Sequence, residues 1–383
     1  MKQFRVTLAS RVQEYDIEIS GGLLHKLGPE TRRYLGPAAR RVAVISNARV
    51  FDLYGAFAID SLRSSDFDVS HWLMGEGERF KSLRTLGKAL TFLSESGLER
   101  SDAVVALGGG VVGDLAGFAA AVYLRGIGFI QAPTTLLAQI DSSVGGKTGV
   151  NLLSGKNLVG AFYQPLAVII DTNTLVTLPR RELTAGWCEA VKNGAVGARP
   201  LFQQTLEFLR SISRNPKALQ SRQLELLITS HCAFKASIVA RDEREALECA
   251  DHFSRRILNF GHTVGHALEV VTGYRRFRHG EAVGYGMLVA GEISKSLGLL
   301  EHSELELLRE AVRMCGPLPP ASDLDQQAII EVAARDKKSF GGEIQWVLLE
   351  RIGQARIVNG REVRSQLLRN SLRAVLQARS LAL

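Results

Sequence analysis

Three of the eight histidines in the chain, His262, His266 and His279, fall within eighteen positions. Neutral imidazoles with one carboxylate are the usual ligands of a catalytic zinc ion, which keeps one coordination position for water or substrate. His262 and His266 stand four residues apart and share a helix face. Spacing alone leaves open which two histidines would bind, and Glu189, Glu269 and Glu281 all qualify as the carboxylate. Glu189 also lies three residues before Lys192, among the apolar Trp187, Ala190 and Val191. A carboxylate and an ammonium on one helical turn commonly form an exposed ion pair, but apolar neighbours suit a buried pair with a chemical task.

Two further segments carry chemistry. In Gly108-Gly109-Gly110-Val111-Val112-Gly113-Asp114 an apolar run feeds a glycine turn that opens a helix. Such a turn lets backbone N–H groups approach a diphosphate, whose charge the helix dipole favours. No Gly-Lys-Ser/Thr follows it, which excludes a Walker motif. The stretch from Gln139 to Asn151, followed by Lys156-Asn157, has few side chains able to fill a core. With Gly145-Gly146 beside Lys147 it is expected to be an irregular connection lining a site. The charge run Arg335-Asp336-Lys337-Lys338 reads as surface unless an anion sits nearby.

The elements that must position these groups divide near residue 180. Before it, short apolar runs alternate with helical patterns. Arg41 to Ser46, Ala103 to Leu107, Phe129 to Ala132 and Leu166 to Ile170 read as buried parallel strands, and Ser82 to Gly97 as a helix. Phe4 to Leu8 and Tyr15 to Ile19 alternate with period two and suggest a hairpin. After Pro179 helical patterns dominate until a strand-like run at Ile344 to Leu349, and Arg241 to Ser254 reads as a loop. The expected fold is therefore an α/β N-terminal Rossmann-like domain, residues 1–180, with a mostly parallel sheet. An all-α C-terminal domain, residues 181–383, would carry the metal-ligating groups.

The 383 residues suffice for two cores, and 46% hydrophobic with 22% charged residues excludes a disordered or fibrous chain. The apolar stretch Ala103 to Val122 is broken by three glycines and Asp114, and no other stretch resembles a membrane span. Met1-Lys2-Gln3-Phe4-Arg5 lacks the apolar core of a signal peptide. Four scattered cysteines without a CxxC pair fit a reducing, cytoplasmic setting. The net charge of +8 raises nucleic acid as a partner. No Lys/Arg block is present, however, and the basic residues after Arg361 alternate with leucines at helical spacing. The excess is expected to serve an anionic small molecule, with no nucleic acid and no membrane as partner.

Together the segments resemble the 3-dehydroquinate synthase family, one of the sugar phosphate cyclases. The resemblance runs from about Gly75 to Gly353. It is carried by Gly75-Glu76-Gly77-Glu78-Arg79-Phe80-Lys81-Ser82, the triple glycine and Ala132-Pro133-Thr134-Thr135-Leu136-Leu137-Ala138-Gln139. Asp141 to Asn151, Leu258 to His266, His279-Gly280-Glu281-Ala282-Val283 and Asp336-Lys337-Lys338 continue it.

The resemblance implies NAD and one divalent metal, zinc or cobalt, as cofactors, in a cleft between the two domains. It implies Glu189, His262 and His279 as metal ligands, with His266 facing the substrate phosphate. Cofactor contacts would fall on Glu78, Lys81, Gly109, Gly110, Asp114, Thr134, Thr135, Lys147, Lys156 and Thr177. Catalytic roles would fall on Asp141, Lys147, Lys192, Asn259 and His266, and substrate contacts on Asn157, Lys235, Arg255 and Lys338. Arg125 would reach the neighbouring subunit's phosphate site in a homodimer. The implied reaction converts 3-deoxy-D-arabino-heptulosonate 7-phosphate to 3-dehydroquinate and phosphate. It runs through transient oxidation at C5, elimination, re-reduction, ring opening and an intramolecular aldol. Relatives acting on sugar phosphates without a carboxylate, and metal-dependent polyol dehydrogenases of similar build, are the alternatives. Ser46-Asn47-Ala48-Arg49 stands where the family commonly has an acidic residue, so Asn47 would be a weaker partner for the adenine ribose. The Lys235–Arg255 interval is longer than is usual in the group.

Overall fold

The computed structural model describes residues 13–245, 254–335 and 345–377. In the first half the strands are β1 (Asp16–Ser20), β2 (Arg41–Asn47), β3 (Asp68–Met74), β4 (Ala103–Gly108), β5 (Gly128–Pro133), β6 (Lys147–Leu152), β7 (Gly155–Phe162) and β8 (Ala167–Asp171). Helices α1 (Leu27–Leu35), α2 (Ala48–Arg63), α3 (Leu83–Glu95) and α4 (Gly110–Val122) lie between them. Six strands form one sheet in the order β1-β8-β5-β4-β2-β3, and every pairing in it is parallel.

Alternation along β2 shows why the sheet is covered twice. Val42 and Val44 point into a cluster with Leu27, Ala58 and Leu62 of α1 and α2. Ala43 and Ile45 point into another with Leu86, Leu93, Leu115 and Ala119 of α3 and α4. Both faces are thus withdrawn from water, which requires strands that read as continuous apolar runs. Chain order reverses between β2 and β4, whose neighbours lie on opposite sides. In open α/β sheets the crevice at the carboxyl ends of such strands is where ligands bind, and β4 ends there in Gly108, Gly109 and Gly110.

The second half consists of α5 (Arg180–Gly197), α6 (Arg199–Arg214), α7 (Arg222–Arg241), α8 (His262–Val271), α9 (His279–Ser296), α10 (His302–Met314), α11 (Gln326–Arg335) and α12 (Ser365–Leu376). It also holds an antiparallel pair, β9 (Gln345–Arg351) and β10 (Gln354–Asn359). α9 is buried along most of its length and packs against α5, α8, α10, α12 and β9. The largest apolar cluster joins these helices to Leu136, Ile140, Val168 and Ile170 of the first half. On α12, Leu368, Leu372 and Leu376 are buried while Arg373 is exposed, the amphipathic face expected from the leucine spacing. No helix among the described residues is long and apolar enough to cross a membrane.

Three sequence expectations change. The strand expected at Tyr15 to Ile19 is β1, but its partner is β8, in parallel; Phe4 to Leu8, the other half of the expected hairpin, lies outside the described residues. The stretch expected to be an irregular connection is regular. Ala138–Ser142 forms a π-type turn, and β6 and β7 form an antiparallel hairpin. The second half, expected to be all α, carries the β9–β10 ribbon.

Candidate active site

Helices α5, α8 and α9 bring Glu189, His262 and His279 together. Two glycines allow the approach. A Cβ on Gly280 of α9 would stand 1.9 Å from the Ala185 carbonyl oxygen of α5, and one on Gly286 would stand 1.8 Å from the Gly261 carbonyl oxygen before α8. Glu189 is fully buried, and its Oε1 has no hydrogen-bond donor among the described residues. Its Oε1 lies 3.9 Å from His262 Nε2 and 3.5 Å from His279 Nε2, and the Lys192 ammonium lies 2.6 Å from Oε2.

The far nitrogen of each imidazole is anchored. His262 Nδ1 lies 3.1 Å from the Phe260 carbonyl oxygen, and His279 Nδ1 lies 3.2 Å from Glu269 Oε2. A proton on each Nδ1 leaves each Nε2 lone pair aimed at Glu189, the arrangement in which histidines ligate metals. Burial, reinforced by Lys192, His279 and His266, holds His262 well below the usual imidazole range and therefore neutral. Two aimed imidazoles and a buried carboxylate whose Oε1 faces both Nε2 atoms, with Oε2 paired to Lys192, fit a divalent cation.

The three candidate carboxylates separate by their partners. Glu281 accepts from Arg181 at 2.8 and 2.6 Å and from the Arg278 backbone N–H at 2.7 Å, so it caps α9 and is fully engaged. Glu269 orients His279 and accepts from Lys156 at 2.9 Å. Glu189 alone of the three faces both Nε2 atoms. His266 is exposed beside the pair, with ring centroids 5.3 Å from His262 and 5.7 Å from His279. The three histidines also lie close enough for one ion, with ligand atoms within 4.8 Å of one another.

Next to this group the π-type turn presents Asp141. Lys192 Nζ donates to its Oδ2 at 3.2 Å, and Lys235 donates to its Oδ1 and to its backbone carbonyl. Burial opposes the Asp141 charge, but Lys192 and Lys235 outweigh it and hold the carboxyl well below its usual range. Burial likewise opposes the Lys192 charge, and Asp141 with Glu189 more than reverse the effect. For Lys235 burial wins over Asp141, and its ammonium is pushed below the usual lysine range.

The hairpin β6–β7 supplies a second group. Lys147 Nζ donates to Glu245 Oε2 at 2.6 Å, and Asn259 Nδ2 donates to Glu245 Oε1 at 2.9 Å. Burial raises the Glu245 pKa, but Lys147 and Asn259 bring it below the usual value. Arg255 is buried and directs N–H groups to the carbonyls of Gly145 and Glu243, while Arg256 turns away toward Gln345 of β9. Glu245 was not among the residues expected in the site. The signal was present in Asp242-Glu243-Arg244-Glu245, but that run reads as a polar loop until Lys147 and Asn259 are seen on either side of its last carboxylate.

The expected cofactor residues surround the carboxyl edge of the sheet. Gly109 caps α4, and a Cβ there would stand 3.0 Å from Thr135 Cγ2; the Thr134 N–H donates to the Gly108 carbonyl at 3.0 Å. This close backbone turn at the start of a helix suits a diphosphate. Thr177 is bonded to Tyr54 of α2. The Asn47 carboxamide oxygen caps α2 by accepting from the Val50 N–H at 3.0 Å, so its structural task is explicit. Lys81 pairs with Asp114 and donates to Asn157, and Glu78 accepts from Asn151 at 2.7 Å. Burial, acting against Lys81, leaves the Asp114 carboxyl above its usual range. Arg125 lies at the other end of α4 in the tight turn Tyr123–Arg125, exposed and without a partner among the described residues. Lys338 lies outside the described residues.

Residues 71–185 match the family described as 3-dehydroquinate synthase N-terminal, and residues 186–339 match 3-dehydroquinate synthase C-terminal. The chain belongs to the 3-dehydroquinate synthase family. The 3-dehydroquinate synthase of Pelotomaculum thermopropionicum is 43% identical to it over 366 residues, 94% of each chain. Among solved structures, 2-epi-5-epi-valiolone synthase from Streptomyces hygroscopicus subsp. jinggangensis, with NAD+ and Zn2+ bound, has a TM-score of 0.84 at 26% identity. The match covers 98% of this chain and 99% of that one. A 2-deoxy-scyllo-inosose synthase complexed with carbaglucose-6-phosphate, NAD+ and Co2+ has a TM-score of 0.80 at 28% identity, covering 94% and 96%. The 3-dehydroquinate synthase family thus shares its architecture with cyclases whose structures hold both a dinucleotide and a divalent ion.

Proposed function

We propose that this chain is a 3-dehydroquinate synthase, a lyase that converts 3-deoxy-D-arabino-heptulosonate 7-phosphate to 3-dehydroquinate and phosphate, a step of aromatic amino acid biosynthesis. NAD and one divalent metal, zinc or cobalt, are its cofactors. The observation that carries the reading is the meeting of Glu189, His262 and His279 beside a cluster of buried cations, in a chain 43% identical to a 3-dehydroquinate synthase.

When bound, NAD supplies reversible hydride transfer and the metal supplies Lewis acidity to the substrate hydroxyls. The chain's own residues position and neutralise. Glu189, His262 and His279 hold the ion. Gly109, Gly110, Thr134, Thr135, Lys81, Asp114, Glu78, Lys156 and Thr177 hold the dinucleotide. Lys147, Lys192, Lys235 and Arg255 set positive charge toward a substrate that is anionic at both ends. Arg255 also ties Gly145 in place, two residues before Lys147. Lys192, bonded to Asp141, keeps its proton at Nζ next to the metal ligands, and Glu245 keeps its charge and fixes Lys147 and Asn259. His266 presents an exposed imidazole that can exchange a proton with the substrate phosphate.

The working unit we infer is a homodimer with a boundary between domains near residue 180. Exposed Val122 and Leu124 support it. They flank Arg125 along the chain, and Tyr163 hydrogen-bonds the Ile127 carbonyl at 2.6 Å. An apolar patch around an unpartnered arginine suits a subunit contact. A cytoplasmic setting goes with the reading and is supported by the free, buried Cys188, Cys232 and Cys315.

One observation favours a second reading, a cyclase for a sugar phosphate without a carboxylate: two Arg255 N–H groups already have backbone partners. The test is incubation of the purified protein with Zn2+, NAD and the heptulosonate phosphate, with products identified by mass and NMR. We expect 3-dehydroquinate. No product, with cyclisation of glucose 6-phosphate or sedoheptulose 7-phosphate instead, decides for the second reading.

A further inference from the structure

The hairpin β6–β7 connects the two proposed binding sites through side chains. Lys81, bonded to Asp114 of α4, donates to Asn157 Oδ1. The Asn157 N–H donates to Asn151 Oδ1 at 2.8 Å, and Asn151 Nδ2 donates to Glu78 Oε1 at 2.7 Å. Lys156 Nζ lies 4.0 Å from that same Glu78 oxygen and 4.4 Å from the centre of the Tyr274 ring. It donates to Glu269 Oε1 at 2.9 Å, and Glu269 Oε2 lies 3.2 Å from His279 Nδ1. A polar run, hydrogen-bonded except for the 4.0 Å ion pair between Glu78 and Lys156, therefore leads from the helix at the glycine turn to one of the proposed metal-ligating imidazoles. The Glu269 side chain at its end is only 4% exposed, so little water screens it.

Glu269 divides its two oxygens between partners with opposite consequences. A carboxylate accepting from the outer N–H of a ligating imidazole fixes the ring and makes it a stronger donor to the metal. An ammonium on the other oxygen draws charge from that carboxylate and weakens the effect. Lys156 also faces the dinucleotide side, where it is expected to meet an anionic cofactor.

We propose that Glu269 is a positioning residue through which dinucleotide binding tightens the metal site. An anionic dinucleotide draws Lys156 off Glu269 and leaves the carboxylate to His279. The inference rests on the reading of Glu189, His262 and His279 as ligands. Linkage makes it reciprocal: the factor by which NAD tightens the metal is the factor by which the metal tightens NAD.

The experiment is a Zn2+ titration of the full chain, stripped of metal, against a chromophoric chelator, without NAD and at saturating NAD, with circular dichroism reporting the fold of each variant. In the native chain NAD is expected to lower the Zn2+ Kd by about fivefold or more. Lys156→Met is expected to bind Zn2+ without NAD as tightly as the native chain does with it, and to gain nothing further from NAD. Glu269→Gln is expected to weaken Zn2+ about 10- to 100-fold and to lose the NAD response. A native Kd indifferent to NAD, or a full NAD response surviving in both variants, overturns the proposal. Glu189→Ala separates the underlying reading: loss of Zn2+ binding upholds the ligand set, and native affinity in that variant removes the ligand set itself.

Discussion

Glu189, Glu269 and Glu281 are one residue type with three tasks, assigned by what stands beside each: two imidazole Nε2 atoms with the Lys192 ammonium, an imidazole Nδ1 with the Lys156 ammonium, and a guanidinium with a helix start. Sequence spacing placed His262 and His266 on one face, but the partners of the three carboxylates are up to 113 positions apart and are legible only in space. Glu245 escaped for the same reason. The assignment makes a direct prediction: His262→Ala and Glu189→Ala lose bound metal by elemental analysis, while His266→Ala keeps it. Retention in Glu189→Ala together with loss in His266→Ala would move the site to the three histidines. Asp141 gives a pH-dependent prediction. Its folded pKa lies below its unfolded value, so its stabilisation is complete above the unfolded pKa of about 3.9 and is lost as pH falls through the folded value. Asp141→Asn leaves the buried Lys235 ammonium without a carboxylate partner, Lys192 keeping Glu189, and is expected to cost about 3–5 kcal/mol near neutral pH. Urea unfolding should show that gap, and it should narrow in strong acid.

At the scale of elements, the parallel strands were legible because burial on both faces forces uninterrupted apolar runs such as Val42 to Ile45. β3 lies at the sheet edge with several residues in water, and β6–β7 intersperses Val, Leu, Ala and Phe with Lys, Asn, Thr and Gly, so neither shows that signature. The hairpin forms because its strands approach closely: a Cβ on Gly160 would stand 2.1 Å from the Thr148 carbonyl oxygen. The helices that carry Glu189, His262 and His279 depend on similar contact. Gly286→Ala drives a methyl into the Gly261 carbonyl and must separate α8 from α9. Overpacking of this kind is expected to cost about 1–3 kcal/mol, lowering the melting temperature and Zn2+ affinity together. Unchanged Zn2+ affinity in a folded Gly286→Ala protein would show that the helix contact does not position His262 and His279.

For the whole molecule, composition and net charge bounded the class of partner without identifying it; the family emerged from several motifs in one order along most of the chain. The proposed homodimer predicts a mass in solution of twice 41.8 kDa by sedimentation, falling to that of one chain when Val122→Glu and Leu124→Glu are combined. A native monomer with full turnover would remove the proposed role of Arg125 across subunits. The reaction itself makes the sharpest demand, because NAD must be oxidant and reductant in one catalytic cycle. The decisive measurement is phosphate release from the heptulosonate phosphate at limiting NAD, with NADH absorbance followed in the same cell. The account predicts many phosphates released per NAD while absorbance stays flat. NADH accumulating one for one with product, or phosphate released equally well without NAD, would contradict it.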